Sequence, residues 1–560
     1  MAHPLSALQK LVGASPVVLE LDLAHGVLAA RPDNPLQALQ LVNATRVETL
    51  RATLRDAAGD DRVRGLIVHA SAERFPLAIL DEVALEVARF AEHKPTACWS
   101  ESFGELTPSL GLYAMATAAH EIWVQPTGTL SISGPELQVV LLKGGLAKLG
   151  IEPQFGQRHE YKTAADQFAA DEVTPANREM MTSIVESLVE EACGTIGARR
   201  GLEPGAVRDA VEAAPLTPED ALERGLIDHI GYRDELYEHV LDEWAATPEH
   251  LAYVNRYALR PRLSRALAGP RRKRIGVVDV HGAIVTGRGN AGPGRRSVGA
   301  DVVAEQLRHA ADDDQVAAIL LDVNSPGGSA VASDTIHRAV LQASAAGTPV
   351  IATMGEYAAS GGYYASMGAD EIVALPSTLT GSIGVVAGKL VTTGLYDKLG
   401  LVRESITADE GAAALSDARP MTDEEWAKLE AWLDRVYDDF VRKAADGRAM
   451  SVDELEPLAR GRVWTGAQAL DLGLVDHVGG RGRAIERAAS LANLEPDEVD
   501  VVPVGPRGML ARFRPAQSSA ALAGVRRRAV TPEALFAGAL EHLGVAAPGV
   551  LSMPLQLRLR

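Results

Sequence analysis

The strongest constraint on the fold is a repetition inside the chain. YAMATAAHEIWVQPTGTLSISG at 113–134 returns as YYASMGADEIVALPSTLTGSIG at 363–384, an offset of 250 that persists through GLAKLG at 145–150 and LYDKLG at 395–400. Three flanking pairs extend the match: VVLELDLAHGVL at 17–28 with IGVVDVHGAI at 275–284, AAGDDRVRGLIVHA at 57–70 with AADDDQVAAILLDV at 310–323, and ALERGLIDHIG at 221–231 with ALDLGLVDHVG at 469–479. A unit of roughly 200 residues is far too long for a solenoid repeat, so the chain reads as two copies of one domain.

Within each copy, apolar strands alternate with helices. Residues 17–28 read as a buried strand and turn, 46–60 as a helix ending near Gly59, 62–70 as the next strand, and 78–90 as a helix before PTACWS. Strand and turn signals follow at 116–134, then a helix around 136–149 that stops before Gly150. This order predicts an α/β protein whose mostly parallel sheets are covered by helices. The expected division is an N-terminal domain at 1–240, a linker at 241–274, a C-terminal domain at 275–503 and a basic tail at 504–560. The tail has eight arginines against two glutamates, and TPEALFAGALEHLG at 531–544 has the cap, first-turn proline and apolar spacing of a helix. Basic residues beside apolar ones leave peripheral contact with an acidic lipid surface open.

The formal charge of -19 argues against a general nucleic-acid binder, and the run Arg271 to Arg274 reads as a solvated linker end. Lys10, Glu20 and Asp22 interrupt the N-terminal apolar residues, and no later window has the length of a spanning helix. The expected location is cytoplasmic or peripherally membrane-associated. Cys98 and Cys193 are too few for a disulfide framework and read as small buried hydrophobes. With no HExxH, no cysteine cluster and no GxxxxGK loop, neither a metal nor a cofactor is expected. His25 and His281 recur in matching turns, as do Asp228-His229 and Asp476-His477. Recurrence in both copies points to structural work, because a catalytic residue is needed in only one.

The copies diverge where chemistry is concentrated. Ser360 follows an apolar strand and precedes two glycines that open a small-residue helix, an arrangement that presents a hydroxyl beside free backbone N–H groups. A tight strand-to-helix turn with a capping serine is the structural alternative. The offset sets Leu110 opposite Ser360, and NSPGGS at 324–329 faces HASAERF at 69–75, so the candidate nucleophile and Gly327-Gly328 belong to the second copy alone. The first copy carries Lys162 in GQRHEYKTAADQFAADEVTP at 156–175, where the second has Ala412. A desolvated lysine is a competent general base for a hydroxyl, which suggests labour divided between the copies; ordinary drift is the alternative.

Taken together, NSPGGS, YAASGGYYAS at 357–366, PSTLTGSIG at 376–384 and YKTAADQF at 161–168 resemble the signal peptide peptidase A (protease IV) family, peptidase family S49, in its long duplicated form. The resemblance covers most of residues 17–240 and 275–495 and implies tandem domains of the Clp protease/crotonase spiral fold. It further implies a serine endopeptidase with a Ser360/Lys162 dyad acting through an acyl-enzyme. Gly328 and Gly361 would supply the oxyanion-hole N–H groups, Gly327 would shape that turn, and Ser382 would hold the lysine amine. No cofactor is implied. The implied substrates are short or unfolded peptides, including cleaved signal peptides, and the implied assembly is a homo-oligomer, a homotetramer around a cleft. Long members commonly carry an N-terminal membrane anchor, which this sequence does not show. A crotonase-like acyl-CoA hydratase or isomerase and a non-catalytic oligomeric scaffold are the alternatives.

Overall fold

A computed structural model of the chain describes residues 15–29, 43–70, 75–105, 107–259, 272–292, 295–505 and 551–552. The helix expected at 531–544 lies outside the described residues.

The first copy contains, in order, β1 (Val17–Asp22), α1 (Val47–Ala58), β2 (Val63–His69), α2 (Leu77–Ala91), β3 (Thr96–Ser100), α3 (Leu110–Ala116), β4 (Glu121–Val124), α4 (Lys143–Leu149), β5 (Glu152–Gln157), α5 (Pro175–Arg200), β6 (His229–Ile230), α6 (Arg233–Glu243) and β7 (Leu251–Tyr253). Six of these strands form a wholly parallel sheet in the order β6-β4-β3-β2-β1-β7. The second copy contains β8 (Lys273–His281), β9 (Ala283–Val285), α7 (Ala300–Ala311), β10 (Val316–Ser325), β11 (Gly327–Gly328), α8 (Ala330–Ala345), β12 (Val350–Ala359), α9 (Gly361–Ser366), β13 (Glu371–Ala374), β14 (Leu379–Gly381), β15 (Val386–Val391), α10 (Asp423–Gly447), β16 (Val463–Thr465), β17 (His477–Val478), α11 (Arg481–Leu491) and β18 (Val499–Pro503). Its sheet repeats the same path, β17-β13-β12-β10-β8-β18. The expected tandem α/β architecture with mostly parallel sheets is therefore present. The long strand β12 serves two neighbours, pairing with β13 through Ile351–Met354 and with β14 through Tyr357–Ala359. A last strand, β19 (Leu551–Ser552), pairs antiparallel with β11.

Sequence explains the elements locally. Apolar runs such as AAILL in β10 make strands buried on both faces, as parallel sheets under helices require. In α1 the buried residues Val47, Leu50, Leu54 and Ala57 recur at helical spacing and face the first core with Leu19, Leu66, Phe90 and Tyr113. Val278, Leu321, Tyr363 and Phe440 belong to the corresponding core of the second copy. The longest helix of each copy starts on a threonine cap, Thr174 for α5 and Thr422 for α10. Asp228 and Asp476 are paired as expected: each accepts from Arg200 or Arg448 and from the backbone of Ile122 or Ile372.

Three expectations need correction. The helix expected at 136–149 begins only at Lys143, because Pro135 and the β-branched Val139-Val140 disfavour helix and the Leu142 N–H donates instead to the Gln167 carbonyl. The linker expected at 241–274 includes β7, which completes the edge of the first sheet beside β1; three residues are too few to show a strand period in sequence. Finally, Leu110 is not the backbone counterpart of Ser360. Ser109 N donates to Ser131 O as Ser360 N donates to Gly381 O, and each serine carbonyl caps the following helix through Tyr113 or Tyr364. The first copy thus has a serine at this corner, but its hydroxyl donates to the Phe103 carbonyl at 2.5 Å.

Several contacts join the copies, and two of them involve whole elements. β5 pairs antiparallel with β15, and α2 lays Asp81 and Glu82 against the second copy. Asp81 accepts from Ser377 Oγ at 2.5 Å, and Glu82 accepts from Arg481 N at 2.8 Å. Burial pushes the two carboxyls up, Asp81 to about 6 and Glu82 to about 7, against the lowering effect of those hydrogen bonds. Both folded-state values exceed the unfolded ones, so the folded chain holds these protons more tightly, and their contribution to stability falls as pH rises from about 4 to about 7. Asp81→Asn and Glu82→Gln should therefore gain thermal stability relative to the parent at pH 8 and lose that gain near pH 4, by an amount on the order of 1–3 kcal/mol. A pH-independent difference in melting temperature would refute this.

Candidate active site

The corner between β12 and α9 holds Ser360 in an unusual backbone conformation, φ 54° and ψ −112°. A non-glycine residue at positive φ costs about 1–3 kcal/mol and persists only where surrounding bonds enforce it. Here Ser360 N donates to Gly381 O at 2.8 Å, and Tyr364 N donates to Ser360 O at 2.8 Å. The side chain is wholly buried.

Lys162 reaches the same point from the first copy. The β5/β15 ladder ends at Gln157 opposite Val386, and the next residue continues it, with Arg158 N donating to Val385 O at 2.9 Å. The Arg158 guanidinium is anchored on α10, donating to the Glu430 carbonyl and pairing with the carboxylates of Glu430 and Asp434. Tyr161 N then donates to Arg460 O, which turns the chain inward. Gly461, at φ 84°, presses on this turn so closely that a Cβ there would lie 2.4 Å from Lys162 N.

The lysine amine is fully buried, with Nζ 2.7 Å from Ser360 Oγ, 2.9 Å from the Ser382 carbonyl oxygen and 3.0 Å from Ser382 Oγ. No carboxylate is among these partners. Desolvation alone holds its pKa well below the ordinary lysine value. Ser382, also at positive φ (50°), thus touches the lysine through both its hydroxyl and its carbonyl.

The glycines line the other side. In the NSPGGS turn, Ser325 Oγ donates to Gly282 O and accepts from Gly327 N, and Gly327 has φ 109°. A Cβ on Gly361 would stand 3.1 Å from Gly328 N and 2.6 Å from Ser333 Oγ. The backbone of Gly328 therefore approaches the start of α9 to a distance that only glycine at 361 permits. All five residues singled out in the sequence, Ser360, Lys162, Gly328, Gly361 and Ser382, gather at one junction between the copies. Ser325, Ser333 and Gly461 were not anticipated. The serine in NSPGGS lay in plain view; Gly461 had no sequence signal, because its role is to make room for a residue 299 positions away.

A buried serine and lysine, each contributed by one of two parallel-sheet units, define a duplicated α/β protein with one composite site between its copies. The sequence matches the family described as "Peptidase family S49" over residues 89–246 and 342–495, and the chain belongs to that family. Among its relatives is the chloroplastic serine protease SPPA of Arabidopsis thaliana, 31% identical over 78% of this chain and 64% of its own length. Protease 4 of Salmonella typhi is 30% identical over 73% of this chain and 65% of its own length. The chain therefore spans just under two thirds of each of these proteins. A solved structure of the membrane-bound stomatin-specific protease 1510-N, a lysine-to-alanine mutant in complex with a substrate peptide, overlaps 43% of this chain and 96% of its own at 18% identity and a TM-score of 0.27. Among the described residues, no helix is long and apolar enough to cross a membrane.

Proposed function

We propose that the chain is a serine endopeptidase of the Ser/Lys type acting on extended peptides. The observation that carries this reading is the 2.7 Å contact between a fully buried lysine amine and the hydroxyl of a conformationally strained serine. A neutral amine has one lone pair and two N–H groups. It accepts the Ser360 proton while donating to Ser382, so Ser382 aims the lone pair at Ser360.

The proposed steps use the groups at this junction. Ser360 Oγ attacks the scissile carbonyl as its proton passes to Lys162 Nζ, and the oxyanion that forms takes hydrogen bonds from the Gly328 and Gly361 N–H groups. The ammonium then protonates the leaving amine, which departs to give a Ser360 acyl-enzyme. Water attacks the ester, Lys162 takes its proton and returns it to Ser360 Oγ, and a carboxylic acid leaves. Three products of local structure serve this cycle: the strained turn sets the hydroxyl against the amine, burial keeps the amine neutral and its lone pair free, and absent side chains admit the substrate.

A peptide is favoured as substrate because β11 already accepts one. Leu551 and Ser552 add to Gly328 and Gly327 as an antiparallel strand, the mode in which sheet edges bind extended chains. An acyl-CoA hydratase has no use for a buried amine held on a serine, and a scaffold has no reason to maintain the strain at Ser360. Cleaved signal peptides are extended chains of the class this edge would take. A serine-directed acylating probe should label the parent at Ser360 and label folded Lys162→Ala far more slowly. Equal labelling of both would overturn the general-base role, and labelling at another serine would overturn the nucleophile.

A further inference from the structure

The copies also differ at a place remote from Ser360. In the second copy, Glu371 on β13 accepts from Arg487 of α11, with Nε at 2.7 Å and a terminal nitrogen at 2.5 Å, and lies 3.2 Å from His477 Nε2 on β17. The guanidinium holds the Glu371 carboxyl below its usual value. The first copy keeps the frame of this cluster. Trp123 pairs with His229 across β4 and β6 as Val373 pairs with His477, so Glu121 stands for Glu371 and His229 for His477. The cation is what has gone. On α6 the position of Arg487 is His239, and the position of Leu491 is Glu243.

The first copy therefore gathers two carboxylates and two imidazoles where the second has one carboxylate, one imidazole and an arginine. Among the described residues, neither Glu121 nor Glu243 forms an ion pair with a lysine or arginine; their charged partners are His229 and His239 alone. His239 Nε2 lies 3.4 Å from Glu121 Oε2 and 3.5 Å from Glu243 Oε2, and His229 Nε2 lies 3.7 Å from Glu121 Oε2. One donor atom from each of Glu121, His229 and His239 falls within 4.8 Å of the others. Trp123 forms a wall: its ring stacks on His229 with centroids 4.2 Å apart, and its indole N–H donates to Glu121 Oε2 at 3.1 Å.

We propose that Glu121, His229 and His239 bind a divalent transition ion of the zinc class, leaving its fourth position to solvent. A tetrahedral zinc site with bonds of 2.0–2.1 Å has ligand-to-ligand edges of roughly 3.3 Å; Glu121 Oε2 already stands 3.4 and 3.7 Å from the two imidazole nitrogens, and the three donors, all within 4.8 Å of one another, close on the ion by side-chain rotation. Imidazole nitrogen beside carboxylate oxygen favours zinc-class ions over calcium or magnesium, which take oxygen. The Trp123 indole that fixes the Glu121 carboxylate does the orienting work that outer partners do at metal sites. Bound there, the ion supplies the positive charge that Arg487 supplies in the second copy. It ties α6 to the sheet edge at β4 and β6, just before the segment that leads through β7 to the second copy.

The duplication itself provides the test variant. His239→Arg recreates the Glu371/His477/Arg487 arrangement, so the metal-free chain should fold with little change in melting temperature. In calorimetric titration of the tag-free full chain with zinc, the parent should bind one equivalent that His239→Arg lacks or binds about tenfold or more weakly. Zinc should raise the melting temperature of the parent more than that of the variant. His229→Gln, on the strand instead of the helix, should lose the same equivalent and so guards against a folding defect in the first variant. Unchanged zinc stoichiometry and affinity in both variants, or no saturable binding by the parent, would overturn the site.

Discussion

Lys162→Ala is expected to lower kcat/KM about 10²- to 10⁴-fold, the range for loss of a positioned general base. The effect should appear chiefly in kcat, because the amine touches Ser360 and Ser382 and would lie on the proposed proton path, away from the β11 edge proposed to take the peptide backbone. The pH profile separates this role from a packing role. Burial lowers the Lys162 pKa, and the neutral amine is the active form, so kcat/KM should rise with pH through an inflection well below the ordinary lysine range. Residual activity in Lys162→Ala should lack that inflection. A variant that keeps both the rate and the pH profile would show that the lysine fills space without accepting a proton.

Gly361→Ala is expected to cost about 10²- to 10³-fold in kcat, the scale of losing an oxyanion donor. The added methyl would sit 3.1 Å from Gly328 N, where the oxyanion must reach, and 2.6 Å from Ser333 Oγ. These clashes can be dissociated. Adding Ser333→Ala removes the hydroxyl collision and should restore much of the lost stability, while the methyl beside Gly328 N stays and activity remains low. Recovery of activity in the double variant would mean that Gly361 matters for packing alone.

The reach of the sequence can be judged from these residues. Ser360 was legible because the signal is local, a strand, a serine and two glycines, and because an internal copy supplied a contrast. Lys162 was legible through its contrast with Ala412 in the second copy and its resemblance to a family segment; nothing in its own composition separates it from a solvated lysine. What brings it to Ser360 is the β5/β15 pairing between residues more than 200 positions apart, followed by the Arg460 carbonyl and the space that Gly461 leaves. Such pairing is tertiary information and leaves no period in either strand. The Ser109 corner shows the opposite failure. A constant offset of 250 pointed to Leu110, but the first copy has one more residue between its cap and the buried tyrosine that follows, since Ser109 precedes Tyr113 by four positions and Ser360 precedes Tyr363 by three.

The short ladder between β11 and β19 bears on how the rate would depend on substrate concentration. A segment tethered to the same chain competes at an effective concentration that does not depend on the concentration of the protein. A substrate peptide using the proposed edge would have to displace it, so its apparent KM should be multiplied while kcat, measured at saturation, is untouched. Leu551→Pro deletes a main-chain donor from the tethered strand and should lower the apparent KM at constant kcat. An unchanged KM would mean that the strand leaves the edge free in solution. The proposed peptidase would then have a threshold: short peptides that bind weakly would be turned away, and those with enough contacts to outbid a resident strand would be cut.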